Sequence, residues 1–539
     1  MIFTSQYESL VIPQNKTLWD SLELHAHNEN AHAPAFICSV SGHEVSFSQM
    51  LTQAKQICAG LHARGISKGD VVVVHSFNCI EYPVVFMALS RLGAVCSPTS
   101  PMFNAQELYD QMDLAKAKAV ISHKALAPVV VEAAKLAGIA PSHVYTMAAA
   151  PGVNVDGLVS IESLIAKNLP MPALPRIDPH AVVFLPFSSG TTARPKGVEL
   201  TAHALLAIAI DFSYLERPGQ FNMGLLPFFH IMATMVFHAC IYKGKAVVVL
   251  PRFEPEQFLR VVEKFKFKKI LIAPPVVLFM AQHPMVAKFD LSNLKQIACG
   301  GAPLGIEIET MTEKKLGVTI LQGYGMTELS GAVTYTTPES KRSGSAGKLV
   351  PNAVMRVKSL TSGEALGPNQ QGELLFKTPQ LMRGYLNNPE ANKASFSADG
   401  FMHTGDIGYI DDDGFVFIVD RIKELIKYKG HQVAPAELED VLNNHPSIAD
   451  SCCVRGFDFA TSEEIPKAYV VKKAGSNVSE QDVLAFVASK VAPFKKVREV
   501  EFIDVVPKSL SGKILRRELQ VKENAKIEEK RAQRMKSRL

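Results

Sequence analysis

Short, fully apolar runs recur along the chain, each closed by Gly, Pro or a polar cluster. "VVVVHSF" (Val71–Phe77), "AVCSPTSP", "KAVISH", "AVVFLPF", "AVVVLP" and "KILIAPP" are of this kind. Runs that are apolar at every position suit strands covered on both faces. Segments with helical spacing lie between them, such as "EYPVVFMALSRLG", where Gly93 supplies the stop. The pattern predicts layered α/β sheets over roughly the first 350 residues.

After about Gly347 the character changes. "AVMRVKS", "QGELLFKT" and "GYIDDDGFVFIVD" read as short strands joined by polar turns, with a hairpin turn at Asp411–Gly414. "RIKELIKYKGHQVAPAELEDVLNNHP" is basic in its first half and helical in its second. Val470 to Leu519 reads strand, helix ("SEQDVLAFVASKV"), strand. The expected class is therefore α/β. A large multi-subdomain N-terminal domain with a β-rich subdomain would span 1–420. A small mobile α+β C-terminal domain would span 421–521, and a polar tail 522–539.

Composition narrows the classes. A chain of 539 residues exceeds one compact core. Hydrophobic residues at 47%, charged residues at 20% and a net charge of +5 are ordinary soluble usage. No basic stripe interleaved with aromatics argues for nucleic acid. Eight Cys without CxxC pairs or Cys/His clusters read as reduced thiols of an intracellular protein. No apolar run reaches the ~18 residues of a membrane helix, and "MIFTSQYESLVIP" lacks a signal-peptide pattern. The final "SRL", Ser537-Arg538-Leu539, is a variant of the SKL address, which implies a peroxisomal import receptor as partner. It follows the polar "KENAKIEEKRAQRMK", expected to be an exposed helix; chance is the other explanation of three residues.

The densest candidate chemistry is "FSSGTTARPKGV", Phe187–Val198. It is not a Walker A loop: counted from Gly190, the second Gly falls on Pro195, and Lys196 precedes Gly197. The hydroxyls of Ser188, Ser189, Thr191 and Thr192, free N–H groups near Gly190 and the Lys196 charge could still wrap a polyphosphate. A solvated polar turn accounts for the same composition.

Taken with "GYGMTE" (Gly323–Glu328), "GFMHTGDIGYIDDDG" (Gly400–Gly414), "DRIKELIKYKG" (Asp420–Gly430) and "SLSGKILRREL" (Ser509–Leu519), the loop resembles the adenylate-forming enzyme superfamily. That group includes acyl-CoA synthetases, 4-coumarate–CoA ligases, beetle luciferases and peptide-synthetase adenylation domains. The resemblance runs from about Thr17 to Leu519, in the family order, and is nearest to the 4-coumarate–CoA ligase-like branch. It implies an ATP-dependent carboxylic acid–CoA ligase that forms an acyl-adenylate and then a thioester, with ATP, Mg²⁺ and CoA. A fatty or aromatic acid would be the substrate.

The resemblance also implies roles. Ser188, Ser189, Gly190, Thr191, Thr192 and Lys196 would hold the β,γ-phosphates. Gln322, Gly323 and Tyr324 would pack on adenine, Thr327 would bond the α-phosphate, and Glu328 would hold Mg²⁺. Asp406 and Arg421 would bind the ribose. Lys513, flanked by Ser511 and Gly512, would stabilise the adenylation transition state. Lys423 would be the hinge of a rotating small domain, and Lys427 and Gln432 would contact the adenylate. Arg252, Lys429 and Gly430 would line the CoA path. His230 would gate the acyl pocket beside Met232, over a floor of Gly300, Gly301 and Ala302.

Taken singly, these residues have plainer explanations: Asp406 in a turn, His230 in the core, Lys513 and the "RIKELIKYK" lysines on the surface. Three positions depart from the family pattern. Ala193 stands for a Gly, Ala202 for a His, and Met232 for the Tyr of coumarate-using enzymes. Met232 disfavours 4-coumarate itself and suits fatty or simple aromatic acids. A luciferase-like oxygenase, a carrier-loading adenylation enzyme and a silent acyl- or nucleotide-binding protein are the alternatives.

Overall fold

The computed structural model describes residues 1–148, 157–188, 195–216, 219–302, 304–429, 431–459, 461, 463–510 and 512–536. The first three apolar runs become strands Val71–His75, Val95–Thr99 and Ala119–His123, and with Val144–Met147, which the pattern did not single out, they are parallel neighbours within a nine-stranded sheet. Glu81–Leu92 is the expected helix, closed by Gly93 at φ 76°. "AVVFLPF" does not form one strand. It breaks before Pro186 into Val182–Phe184 and Phe187–Ser188. "KILIAPP" is strand only to Ile272, because its prolines open the helix Pro274–Gln282.

A second sheet carries parallel strands Pro34–Cys38, Phe221–Gly224 and Ala246–Val249. A third carries Lys269–Ile272, Gln296–Cys299 and Thr319–Met326 in parallel, then turns antiparallel. The β-rich part expected after Gly347 is an antiparallel sheet of Phe3–Thr4, Val354–Lys358, Gly372–Lys377, Met402–Ile410 and Val416–Arg421. Its tight turn is tied by Asp411 Oδ1, which accepts the N–H of Asp413 and of Phe415.

The small C-terminal part holds the hairpin Ile426–Tyr428/His431–Val433, helices Pro435–Asn443 and Glu480–Lys490, and a three-stranded sheet. The final helix, Arg516–Lys536, runs unbroken across the expected tail boundary at 522. It is not wholly exposed. Glu523 is buried and accepts hydrogen bonds from Lys467 Nζ (2.6 Å) and the Tyr469 hydroxyl (2.8 Å). Ser537, Arg538 and Leu539 lie outside the described residues. No helix among the described residues is long and apolar enough to cross a membrane. The eight cysteines are free thiols.

The helix Ala202–Glu216 is apolar nearly all round, yet it buries Asp211 completely. Asn352 Nδ2 donates to one carboxyl oxygen at 3.0 Å. Burial pushes this carboxyl up to about 8, against about 4 in an unfolded chain. The folded protein thus keeps a proton that the unfolded chain releases, so stability falls as pH rises through that window. Asp211→Asn keeps the shape without needing the proton. Its melting temperature is expected to exceed wild type by several degrees at pH 8 and to match it near pH 4. Thermal unfolding followed at both pH values checks this; an equal shift at both would refute the titration argument.

Candidate active site

Elements from different sheets converge on one buried carboxylate. Strand Thr319–Met326 includes both glycines of "GYGMTE", with a register shift between Tyr324 and Gly325, and leads into a single 3₁₀ turn, Thr327–Leu329. Glycine is required for this pairing, since a Cβ on Gly325 would lie 2.0 Å from the Gly331 carbonyl oxygen. The turn buries Glu328. Glu328 Oε1 accepts two hydrogen bonds, from Ser188 Oγ and from the Tyr385 hydroxyl, each 2.9 Å.

Ser188 lies on a short strand, Phe187–Ser188. Ser188 pairs with Lys196 in antiparallel register, and the Lys196 strand pairs in turn with Gly384–Tyr385. Lys196 Nζ lies 4.8 Å from the centroid of the Tyr385 ring. Tyr385 thus contacts both the carboxylate and the cation. Ser189, Gly190, Thr191 and Thr192 lie outside the described residues, as does Ala193.

A second buried carboxylate lies nearby. Asp406 is not in a turn. It sits within strand Met402–Ile410, just after Gly405 at φ 71°, and pairs in register with Arg421. Arg421 Nε is 3.3 Å from Oδ1, and the Tyr324 hydroxyl donates to Oδ2 at 2.5 Å. Burial raises the Asp406 carboxyl, and Arg421, Tyr324 and Lys513 oppose that rise.

Lys513 reaches this pair from the small domain. Its loop is closed by Ser509 N–H to the Lys513 carbonyl at 2.9 Å. Gly512, at φ 81°, lies so close to the large domain that a Cβ would be 2.7 Å from Pro275 Cδ. Burial lowers the Lys513 ammonium, and Arg421 lowers it further. The carboxylates of Glu424, Asp406 and Glu328 act in the opposite sense. Lys513 also acts on His230, whose imidazole is pushed down to about 4, chiefly by burial. Cation, two carboxylates and neutral imidazole therefore share one electrostatic site.

Family models match the chain on both sides of this site. The AMP-binding enzyme model covers residues 22–386, and the AMP-binding enzyme C-terminal domain model covers 437–513. The chain belongs to the AMP-binding enzyme family. It is 37% identical to the 4-coumarate–CoA ligase 2 of Oryza sativa subsp. japonica, over 97% of this chain and 95% of that protein. It is 36% identical to the peroxisomal OPC-8:0-CoA ligase 1 of Arabidopsis thaliana, over 96% and 95%. The crystal structure of ATP-bound MatB from Rhodopseudomonas palustris matches with a TM-score of 0.84 at 25% identity, covering 94% of this chain and 99% of that one. Within the AMP-binding family the chain falls in the acyl-CoA synthetase branch and is an acid–thiol ligase.

The remaining expected residues of this AMP-binding enzyme divide into two groups. His230 caps the helix Ile231–Lys243: its Nδ1 accepts the Met232 N–H at 3.3 Å, which leaves the proton on Nε2. Met232 is buried, and a Cβ on Gly300 would come within 3.1 Å of its sulfur. Gly301 takes φ 85°, and Ala302 beside it is half-buried. Gly323 approaches the Thr334 carbonyl so closely that a Cβ would be 2.9 Å from it.

Two of the expected residues have side-chain partners within the protein. The Gln322 side chain donates to buried Glu309 at 2.8 Å. The Tyr324 hydroxyl donates to Asp406, which tethers the ring to that carboxylate. Among the described residues, no contact ties Arg252, Lys423, Lys427, Lys429 or Gln432 to the carboxylate cluster, and all five are exposed. Lys427 and Gln432 face each other across the small-domain hairpin, where Lys429 takes φ 47°. Lys423 occupies the turn after Arg421, and Arg252 the loop after Ala246–Val249. Gly430 lies outside the described residues.

Sequence reading missed Tyr385, and it missed Arg516. The Arg516 guanidinium donates to Glu439 (2.6 and 2.7 Å), to Glu424 and to the Cys453 carbonyl (3.0 Å). It thereby joins the Lys513 loop to the segment just past Lys423. "RGYL" and "LRREL" carry no local pattern that announces either contact.

Proposed function

We propose that this enzyme joins a carboxylic acid to CoA in two half-reactions with different small-domain orientations. The observation that carries the reading is the convergence of Glu328, Asp406–Arg421 and Lys513, two domains and several sheets apart in sequence, on one buried site. In the first half-reaction a substrate carboxylate oxygen attacks the α-phosphorus of ATP. The bond to the bridging oxygen breaks and pyrophosphate leaves. In the second, the CoA thiol attacks the acyl carbon, AMP leaves with the electron pair of the acyl C–O bond, and the thiol proton passes to solvent.

The residues fit these ligands. Glu328 is a buried carboxylate already oriented by two hydroxyl donors, which suits a hard cation. With Oε1 occupied by donors, Oε2 is the oxygen it would offer to Mg²⁺. Magnesium, when bound, would neutralise phosphate charge as pyrophosphate departs. Ser188 and Lys196, with Ser189, Gly190, Thr191 and Thr192 of the same sequence motif, would hold the β,γ-phosphates, and Thr327 the α-phosphate. Gly323 and Tyr324 backbone, with Gly301, would border adenine. Asp406 and Arg421 would take the ribose hydroxyls.

Lys513 would stabilise the charge that builds during adenylation, then leave as the small domain 421–521 turns on Lys423 against the large domain 1–420. Lys427 and Gln432 would contact the adenylate, and Arg252, Lys429 and Gly430 would face CoA in that second orientation. A peroxisomal location is proposed from Ser537-Arg538-Leu539 and the peroxisomal Arabidopsis relative.

The acid is proposed to be fatty or a simple aromatic acid, because Met232 over Gly300 offers no hydroxyl partner for a ring phenol. Acid-dependent pyrophosphate release and acyl-CoA formation, measured across fatty and aromatic acids, test this. Met232→Tyr is expected to raise kcat/KM for hydroxylated over unhydroxylated cinnamic acids by roughly tenfold, the worth of one buried hydrogen bond. Pyrophosphate release without acyl-CoA would count against CoA as acceptor, and an unchanged ratio in Met232→Tyr would remove Met232 from the pocket.

A further inference from the structure

A buried amide far from every motif above holds the segment that delivers His230. Asn78 follows strand Val71–His75 in "HSFNCIEYP" and is 5% exposed. Its Oδ1 accepts the Phe228 N–H at 2.8 Å. Its Nδ2 lies within hydrogen-bond reach of four carbonyls: Leu226 (2.9 Å), Leu250 (3.2 Å), Gly224 and Leu225 (3.3 Å each). Gly224 ends strand Phe221–Gly224, and Leu250 follows strand Ala246–Val249. These are the C-terminal ends of parallel strands, joined by the Leu250 N–H to the Gly224 carbonyl at 3.0 Å, and Asn78 Nδ2 adds a donor beside that last rung. The C-terminal edges of the first and second sheets thus meet at one side chain.

The segment it grips leads directly to the site. His230 N–H donates to the Pro227 carbonyl at 2.9 Å, and Thr234 Oγ1 donates to the Phe228 and His230 carbonyls at 3.2 and 3.3 Å. The Phe228 ring packs edge-on against Tyr82 and tilted on Phe237. Residues 224–230 are therefore pinned at Phe228 and, two residues on, at His230 itself, which caps the helix.

We propose that Asn78 is a positioning residue for the acid: it acts through the Gly224–His230 segment to set His230 over the acyl pocket. This deepens the functional reading and rests on it. Neither neighbour in shape can replace the amide. Aspartate keeps the bond from Phe228 N–H but turns an acceptor toward the carbonyls, and serine reaches only one side. Losing buried hydrogen bonds of this kind displaces a segment even when the fold survives.

The test uses the full-length enzyme with Asn78→Asp and Asn78→Ser, each alone and combined with His230→Ala. Steady-state kinetics are measured separately for the acid and for ATP, and melting temperatures are recorded. Expected is a fall of about tenfold in kcat/KM for the acid, an ATP KM unchanged within about twofold, and no further fall when His230 is already alanine. An equal fall in the His230→Ala background would overturn the proposal. So would parallel increases in both KM values, or variants unfolded at the assay temperature, since the amide would then serve the fold and not the segment. A wild-type enzyme without acid-dependent pyrophosphate release would instead overturn the functional reading, and this inference with it.

Discussion

Lys513→Ala is expected to lower acid-dependent pyrophosphate release by roughly 10²–10³-fold, the cost of removing one preorganised charge partner from a transition state. Folding and ATP binding should survive, because the lysine sits on a loop closed by its own backbone and by Ser509. The second half-reaction should survive too. Supplied with a synthetic acyl-adenylate and CoA, the variant should form acyl-CoA within about threefold of wild type, since the role proposed for Lys513 is confined to adenylation. Loss of both half-reactions would show that Lys513 holds the ligand and not the transition state.

The same side chain predicts a pH limb. Burial and Arg421 lower its ammonium below the ordinary lysine value of about 10.4, so the protonated form is lost earlier on the alkaline side than for an exposed lysine. Adenylation should fall with rising pH below that value, whereas thiolysis of added adenylate should lack this limb.

Asp406→Ala should weaken ATP binding by roughly 10–100-fold, from the ~1.5–3 kcal/mol of charged hydrogen bonds lost to the ribose. It should also lower the melting temperature. The substitution strands the Tyr324 hydroxyl and the Arg421 guanidinium, both held by Asp406 in a buried setting. Asp406→Asn keeps an acceptor for Tyr324 and should recover part of the stability while leaving ATP weak. Calorimetric titration with ATP, alongside thermal unfolding of both variants, separates these effects. Unaltered ATP affinity in Asp406→Ala would place the ribose elsewhere.

These residues also mark how far the sequence carries. Apolar runs covered on both faces announced the parallel strands, and Gly93, the prolines of "KILIAPP" and "DDDG" marked where elements stop. Such signals are local: burial on both faces, a positive φ or a missing N–H acts within a few residues. Motif order carried the site residues as a list, because their spacing is kept within single loops and strands. The list placed Glu328, Asp406, Arg421 and Lys513 in one reaction without placing them in one space.

Tertiary structure decided what pairs with what. Pro186 split a run that hydrophobicity alone read as continuous. A glycine bulge carried Asp406 into a strand opposite Arg421, although its sequence reads as a turn. Tyr385 reached Glu328 from 57 residues away, and Asn78 reached Phe228 from 150. Hydrogen bonds between distant segments leave no periodicity in either one, since each partner answers to a donor or acceptor that only the folded sheets bring near. Residue chemistry and local stops were therefore legible in the chain itself. The geometry that makes them a site was not, because it is set by packing between sheets.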